Sequence, residues 1–451
     1  MTADRGLPPE TNAADPHDHG GQGGDRVPML LVGGLFDDRQ REIVERDSLG
    51  PTQAAADVLQ WGFVRGLESI PEVCLTIGTA PFVGSYPKRF RRPWIESRPF
   101  EHGDAGRNRQ IGFLNLPLVK HFSRAAALSR FGRRWARHQP ADGVALGYSL
   151  SLEIVWALAA IKRANPLLKV GVIVPDLPEF MNTQEKPRLD YRILKAVESR
   201  LVRHLMSALD AGVLLTESMA RKLPPKPHVV IEGIAPPPVD TAPSWAGVSD
   251  ADRQALSGRK VVVYAGTTNV RYGVIELCRA FRAVPGDDLA LVVCGAGDGA
   301  EQIAEHAALD PRIRYLGQLP RSTVLTLENS ATILVNPRSS KEEFSAYSFP
   351  SKILEYMSTG VPVLCYRLGG IPAEYDSYLT YVSGDSVDDF AACLREMLGS
   401  PPGELAAKGQ VAKEFVEAEK SAAVQARKIV AFLTRSRPGA RAVRGLRRVD
   451  A

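Results

Sequence analysis

The chain has 451 residues, of which 44% are hydrophobic and 24% charged, and its formal net charge is +5. These values are typical of a globular protein with two domains and exclude fibrous, collagen-like and largely disordered chains. No apolar run reaches the about 20 residues that cross a membrane, and the polar N-terminus does not resemble a secretory signal. We therefore expect a cytoplasmic protein in which 1–26 form a disordered tail.

Strand-like and helix-like segments alternate between 27 and 224. Short apolar runs predict the strands, and the first run ends in the tight turn Gly33-Gly34. Helical spacing of apolar residues predicts a helix over 51–67. Near-continuous apolar strands that alternate with helices are typical of a parallel sheet covered on both faces, so this region is predicted to be a Rossmann-like domain. The predicted strands are 28–32, 73–77, 144–148, 169–174 and 211–216.

One segment of this domain, 86–137, is strongly basic. It carries 13 Lys and Arg residues against three acidic residues, and aromatic residues lie among them. Such a segment can lie against anionic lipid headgroups, where each basic residue near the surface contributes about 1 kcal/mol of attraction. A solvated basic face is the alternative. Nucleic acid is not an expected partner, because no recognised nucleic-acid-binding motif accompanies the charge.

A proline-rich segment divides the chain. Seven prolines lie between 224 and 243, and prolines at this density cannot continue a helix or a central strand. We predict a hinge at 225–248, a second Rossmann-like domain at 249–410, a closing helix at 411–434 and a basic tail at 435–451. The predicted fold class is α/β, with two doubly wound domains that face each other across a cleft.

Ligands of doubly wound sheets bind outside the carboxyl ends of the strands, so the loops after the strands are the candidate site. In the second domain, Gly266 follows a strand and lets the backbone approach a phosphate, while Arg271 can contact a diphosphate. After the next strand, Gly295 and Gly297 leave room for a flat base. In each case an ordinary tight turn is the alternative.

The strongest pattern covers 347–363. Ser351 is predicted to cap a helix whose positive N-terminal end points into the cleft, with Lys352 on its first turn. One turn into the helix, the Glu355 carboxylate can accept hydrogen bonds from the two vicinal hydroxyls of a ribose; a solvated helical acid is the alternative. The turn Gly369-Gly370 precedes another helix start that can bind an anion or a sugar hydroxyl.

The run 348–363, followed by Gly-Gly-Ile-Pro-Ala-Glu at 369–374, resembles the donor-binding region of family-4, or group 1, glycosyltransferases of the GT-B fold. The resemblance is to the bacterial polysaccharide and glycolipid type. It implies a glycosyltransferase that uses a nucleotide-sugar donor with retention of anomeric configuration, in polysaccharide or glycoconjugate synthesis. It also implies no cofactor and no essential metal.

The resemblance assigns roles to individual residues. Glu355 stands at the second acid of the family's E-x7-E motif and would bind the ribose, while Tyr347 stands where the family has the first acid. Gly33 and Gly34 would approach the diphosphate or the acceptor. The predicted donor-binding residues are Gly33, Gly34, Gly266, Arg271, Gly295, Gly297, Tyr347, Ser351, Lys352, Glu355, Gly369 and Gly370.

Three of the predicted residues are candidates for catalysis. Arg271 and Lys352 would stabilise the charge that develops on the leaving diphosphate. Asp176, which follows a strand of the first domain, would orient or deprotonate the acceptor hydroxyl together with Glu179 on the acceptor side. The expected partners are a nucleotide sugar, and a saccharide or polyprenyl-diphosphate-linked acceptor at the inner face of the membrane. An epimerase of the same fold and a non-catalytic nucleotide-sugar-binding scaffold are the alternatives.

Overall fold

The computed structural model describes residues 26–50, 52–103, 107–117, 119–177, 189–237 and 242–435. Glu179 and nearly all of the two predicted tails lie outside these residues. Among the described helices, none combines the length and the apolar character that a membrane span requires.

The N-terminal domain is built around a mainly parallel sheet with the strand order β10-β9-β8-β7-β1-β2-β5-β4, while β3 and β6 form a separate antiparallel pair. Its strands are β1 (Val27–Gly33), β2 (Val73–Thr79), β3 (Trp94–Ile95), β4 (Arg98–Pro99), β5 (Arg109–Gln110), β6 (Phe113–Leu114), β7 (Val144–Tyr148), β8 (Lys169–Val174), β9 (Ala211–Leu214) and β10 (His228–Val230). Its helices are α1 (Asp38–Asp47), α2 (Ala54–Glu68), α3 (Val119–Arg137), α4 (Leu152–Ala164) and α5 (Leu189–Met206).

The N-terminal sheet is buried on both faces. Leu30 and Val32 of β1 pack into one apolar core, whereas Met29 and Leu31 pack into another on the opposite face. Successive side chains of a strand point to opposite faces, so a strand that is apolar at every position needs cover on both sides. Burial of the sheet on both faces thus explains why the strands are continuous apolar runs in the sequence.

The C-terminal domain repeats the plan with the parallel order β13-β12-β11-β14-β15-β16. Its strands are β11 (Lys260–Ala265), β12 (Leu289–Cys294), β13 (Ile313–Gly317), β14 (Ile333–Asn336), β15 (Val363–Cys365) and β16 (Thr380–Tyr381). Its helices are α6 (Asp250–Leu256), α7 (Val274–Arg282), α8 (Ala300–Leu309), α9 (Arg321–Asn329), α10 (Lys352–Thr359), α11 (Val387–Gly399) and α12 (Pro402–Glu419), and α13 (Ala422–Thr434) follows.

Two predicted connecting segments differ from the structure. The segment 225–248, predicted as a hinge, contains β10, which pairs with β9 because the prolines flank His228–Val230 and leave this edge strand free to bond. The single helix predicted at 411–434 is wrong, because α12 ends at Glu419 and α13 begins at Ala422. The backbone of Ser421 is extended between them, with φ −63° and ψ 155°.

The break between α12 and α13 sends the chain back to the first domain. α12 packs on α10, and Gly409 lies so close to the Gly360 carbonyl that a Cβ atom there would be 1.9 Å from the oxygen. α13 instead packs on α2, and Ile429 and Leu433 complete an apolar core of the N-terminal domain. α13, the last helix among the described residues, is therefore part of the first domain.

Candidate active site

The carboxyl ends of the two sheets face each other. Asp176 follows β8 and Arg338 follows β14, and the two charges interact across the domains. Surrounding protein removes water from the Asp176 carboxylate and raises its pKa to about 6, although Arg338 opposes this shift. The Arg338 guanidinium lies 4.7 Å from the ring centre of Tyr272 and 5.0 Å from that of Phe344. Sequence reasoning missed Arg338, although its place shortly after the apolar run 333–335 was a usable signal.

A cluster of charged side chains lies at the N-terminal end of α10. The Lys352 ammonium is 2.9 Å from Glu355 Oε2 and 3.4 Å from Glu328 Oε1, and the Arg321 guanidinium also pairs with Glu355. Burial would raise the pKa of Glu355, whose side chain is 13% exposed, but the charges of Lys352 and Arg321 outweigh burial and lower the pKa. Glu355 is therefore an ionised carboxylate between two cations.

The helix that carries this cluster is held against the sheet. The Tyr356 hydroxyl accepts a hydrogen bond from the Ala265 N–H at 2.9 Å and donates one to the Ala265 carbonyl at 3.0 Å. Ile353 and Met357 are buried in the core. These contacts fix the start of α10 beside the end of β11, so Lys352 and Glu355 are positioned by the fold rather than by a flexible loop.

The predicted cap of α10 is wrong in one respect. Ser351 occupies the N-cap position, but its side chain makes no capping hydrogen bond. Its backbone is already helical, with φ −53° and ψ −27°, and the Ile353 N–H bonds to the Pro350 carbonyl instead. The exposed Ser351 hydroxyl is therefore not used in capping.

The two glycine loops of the C-terminal domain pack on each other. Gly295 has a φ of +139°, and a Cβ atom there would lie 1.7 Å from the Gly266 carbonyl oxygen. A Cβ atom at Gly297 would lie 2.4 Å from the carbonyl carbon of Thr268. The Lys352 side chain is next to the first loop, since its Cε would be 3.9 Å from a Cβ at Gly266. The structure thus brings Gly266, Gly295 and Gly297 together with the charged cluster.

Arg271 and Tyr347 take part in other contacts. Arg271 Nη2 lies 2.7 Å from Glu342 Oε2, and its guanidinium lies 5.1 Å from the ring centre of Phe344. Tyr347 packs against the core of the N-terminal domain, with the Lys222 ammonium 5.1 Å from its ring centre. The position that the family gives to an acid therefore carries an aromatic ring in contact with the other domain.

The two glycines at the end of β1, Gly33 and Gly34, are covered by side chains of their own domain. The Gly34 N–H donates to Gln60 Oε1 at 2.8 Å, and a Cβ atom at Gly34 would lie 2.2 Å from the Phe82 ring. A Cβ atom at Gly33 would lie 2.3 Å from Gln60 Oε1. Both positions therefore need glycine for packing, because a larger residue would collide with Gln60 or Phe82. Phe82 occupies the space beside the turn.

The turn Gly369-Gly370 borders a cavity between the domains. A Cβ atom at Gly370 would lie 2.4 Å from the Ser348 carbonyl oxygen, so this turn packs on the loop before α10. The cavity measures about 310 Å³, and both domains contribute polar side chains to it. Its lining includes Thr216, Glu217, Glu232, Glu374, Lys420 and Lys428.

Comparisons with known proteins agree with this arrangement. Residues 259–400 match the model of a family described as glycosyl transferases group 1. The resemblance is thereby confirmed for the C-terminal domain. The D-inositol 3-phosphate glycosyltransferase of Corynebacterium glutamicum (strain R) is 28% identical over 153 residues, which are 31% of this chain and 35% of that protein. The chain thus spans about a third of the length of the curated relatives it matches.

Solved structures are similar in fold to both domains of the chain. The trehalose 6-phosphate synthase of Burkholderia multivorans has a TM-score of 0.59 and 13% identity, covering 92% of this chain and all (100%) of that one. An Anabaena protein crystallised with UDP and glucose has a TM-score of 0.56 and 12% identity, covering 91% and 100% of the two chains. The predicted fold class, two Rossmann-like domains of the GT-B type, is confirmed.

Proposed function

We propose that the chain is a glycosyltransferase that moves a sugar from a nucleotide-diphosphate donor to a hydroxyl of a saccharide acceptor. The observation that carries this proposal is the Lys352–Glu355 pair at the N-terminal end of α10, beside the Gly266 loop. The pair combines a cation and a helix N-terminus for a diphosphate with a carboxylate for a ribose. The group 1 match over the same domain supports it.

The donor half of the reaction needs positive charge where the diphosphate leaves. Lys352 supplies it at α10, and Arg338 supplies a second cation from the loop after β14. A preorganised group of this kind lowers the barrier because charge develops on the leaving group in the transition state. We infer, from the resemblance, that transfer proceeds with retention and that these side chains rather than a metal balance the diphosphate charge.

We assign the orientation or deprotonation of the acceptor hydroxyl to Asp176. Its pKa of about 6 keeps the carboxylate ionised at neutral pH, where it can accept a proton or a hydrogen bond from the acceptor hydroxyl. The side chain reaches solvent, and Arg338 faces it from the other domain. A hydroxyl bound here would lie between the two carboxyl ends of the sheets.

Replacement of Asp176 by Asn is expected to lower kcat about tenfold, because the amide oxygen still accepts a hydrogen bond but cannot take a proton. The wild-type rate should rise with pH through about 6 as Asp176 ionises. The variant should lose this rise. Initial rates between pH 5 and 8 with a fixed donor test the assignment, and an unchanged profile in the variant would contradict it.

The basic segment supports a lipid-linked acceptor at a membrane surface. Arg98, Arg92 and Arg124 pair with Asp37, Asp47 and Glu153, so they serve the fold. Lys88, Arg89 and Arg91 remain exposed on the same segment. We propose that these exposed charges face anionic lipids on the cytoplasmic side of the membrane, where a polyprenyl-diphosphate-linked saccharide would be the acceptor in polysaccharide synthesis.

Exposed apolar side chains lie on the same segment. Trp94 is 51% exposed and is paired with Leu114 across β3 and β6. Val119 and Phe122 lie on the first turn of α3, and the Phe122 side chain is 61% exposed. We name Trp94, Leu114, Val119 and Phe122 the apolar patch. Aromatic and aliphatic side chains flanked by basic residues are typical of proteins that bind the membrane interface.

The double variant W94A/F122A should bind anionic vesicles about 100-fold more weakly, because each of the two side chains contributes about 1.5 kcal/mol or more when buried in lipid. L309A serves as the control, since Leu309 is an apolar side chain that is at least as exposed, on the C-terminal domain. Co-sedimentation with phosphatidylglycerol-containing and with purely zwitterionic vesicles measures the effect. Equal sedimentation of all three proteins would exclude the apolar patch as a membrane contact.

A panel of nucleotide sugars tests the reaction itself. Purified chain is incubated with each donor, with and without a saccharide acceptor, and the products are identified by mass spectrometry. Transfer to the acceptor supports the proposal. Change of the donor's sugar without an acceptor indicates an epimerase, and stabilisation by a nucleotide without turnover indicates a scaffold.

A further inference from the structure

Glu328 is a fully buried carboxylate that lies behind the charged cluster of α10. It belongs to the last turn of α9, and its Oε1 accepts a hydrogen bond from Lys352 Nζ at 3.4 Å. Its Oε2 has no hydrogen-bond partner in the part of the chain that the structure describes. An unpaired oxygen on a buried carboxylate is costly, so a fold retains it only with a compensating cause.

Lys352 is thus held by two carboxylates of different kinds. Glu355 reaches solvent and also pairs with Arg321, whereas Glu328 is sealed from solvent and cannot touch a ligand in the cleft. Under the proposed function Glu355 would bind a ribose, and a Glu355 carboxylate that turns to the ribose would leave Lys352 without that partner. Glu328 remains the only one of the two carboxylates that can hold the ammonium in place.

We propose that Glu328 is a positioning residue of the donor site, which keeps the Lys352 ammonium beside the Gly266 loop while Glu355 binds the nucleotide. The catalytic part of this inference, that Glu328 supports donor binding and transfer, rests on the proposed function. Its physical core, the anchoring of Lys352 by Glu328, is a property of the free protein and can be measured without a donor.

The charges around Glu328 make the anchor sensitive to pH. Burial raises the pKa of Glu328 to about 7. The negative charge of Glu355 also raises this pKa, whereas the positive charges of Lys352 and Arg321 lower it. Tyr356 and Cys294 also face the carboxylate. Protonation of Glu328 below neutral pH would remove the charge that holds Lys352, so the rate should increase as Glu328 ionises.

The first measurement is the rate at which acetic anhydride acetylates Lys352, followed by mass spectrometry without any donor. In E328Q the ammonium loses a charged partner, so we expect Lys352 to react at least about threefold faster than in the wild type. D210N is the control, because Asp210 pairs with Lys162 at 2.8 Å at the start of β9 in the N-terminal domain. Equal rates for Lys352 in all three proteins would overturn the anchoring.

The second measurement is kinetic. We expect E328Q to lower kcat about tenfold, to change the donor KM less than about threefold, and to lose the increase in rate near pH 7. A purely structural role would lower the melting temperature without changing the pH profile. Wild-type kcat and pH profile in E328Q would overturn the positioning role.

E328D provides the second variant if E328Q does not fold. It keeps the charge but draws the carboxylate back from Lys352, so kcat should fall at least about threefold while the increase with pH is retained. Wild-type kcat in E328D would overturn the proposal. Faster Lys352 acetylation in a chain that transfers no sugar would refute the proposed function and leave the anchor standing.

Discussion

The E355Q variant is expected to lower kcat/KM for the donor by about 10² or more. The wild-type carboxylate is ionised and can accept two hydrogen bonds from vicinal ribose hydroxyls, and charged hydrogen bonds contribute about 1.5–3 kcal/mol each. Glutamine keeps the shape but loses the charge. Initial rates over a range of donor concentrations give kcat and KM separately.

E305Q is the matched control for this experiment, because Glu305 is an exposed acid on α8 of the same domain. It should transfer sugar at the wild-type rate. The melting temperatures of the two variants should agree within a few degrees, since glutamine fills the same space. Wild-type kcat/KM in E355Q would remove Glu355 from the donor site and leave the proposed function without its main support.

The G295A variant is expected to destabilise the C-terminal domain by about 3 kcal/mol or more. An alanine would have to adopt a φ of +139° and place its Cβ 1.7 Å from the Gly266 carbonyl oxygen. Backbone strain of this kind costs about 1–3 kcal/mol, and displacement of the Gly266 loop adds to it. Thermal unfolding of the whole chain, followed by circular dichroism, measures the loss.

G403A tests whether this effect belongs to the position rather than to the substitution. Gly403 lies on the first turn of α12, and a Cβ atom there would meet no atom of the described residues within 4 Å, so alanine fits. It should be neutral or stabilise by up to about 1 kcal/mol, because alanine favours helix. Similar melting temperatures for G295A and G403A would show that the two glycine loops do not need their close contact.

The core of the fold was predictable because its strands are apolar at every position. Runs such as 144–148 and 169–174 can only be buried on both faces, and this requires a covered parallel sheet. The short strands β3 to β6 were not predicted, since two residues carry no periodicity. The break at Lys420 and Ser421 was missed for a related reason: helical spacing continues on either side of it.

The candidate site was predictable where it follows strands and helix starts. Lys352, Glu355, Gly266 and Gly295 were found in this way, and the structure brings them together. Glu328 and Arg321 were missed because α9 meets α10 only in the folded domain, and nothing near these residues in the sequence indicates the contact. The contact between Phe82 and Gly34 was also missed, because it forms only in the folded domain.

The return of α13 to the first domain has consequences for how the protein can be divided. A fragment that ends before the second domain would lack Ile429 and Leu433, and the part of the apolar core that α13 covers would be exposed to water. Such a fragment should aggregate when expressed alone and recover when the peptide 420–435 is supplied in trans. The polypeptide crosses between the domains twice, once in the segment 225–248 and once between α12 and α13. Any rotation of one domain relative to the other must therefore change the backbone at both crossings.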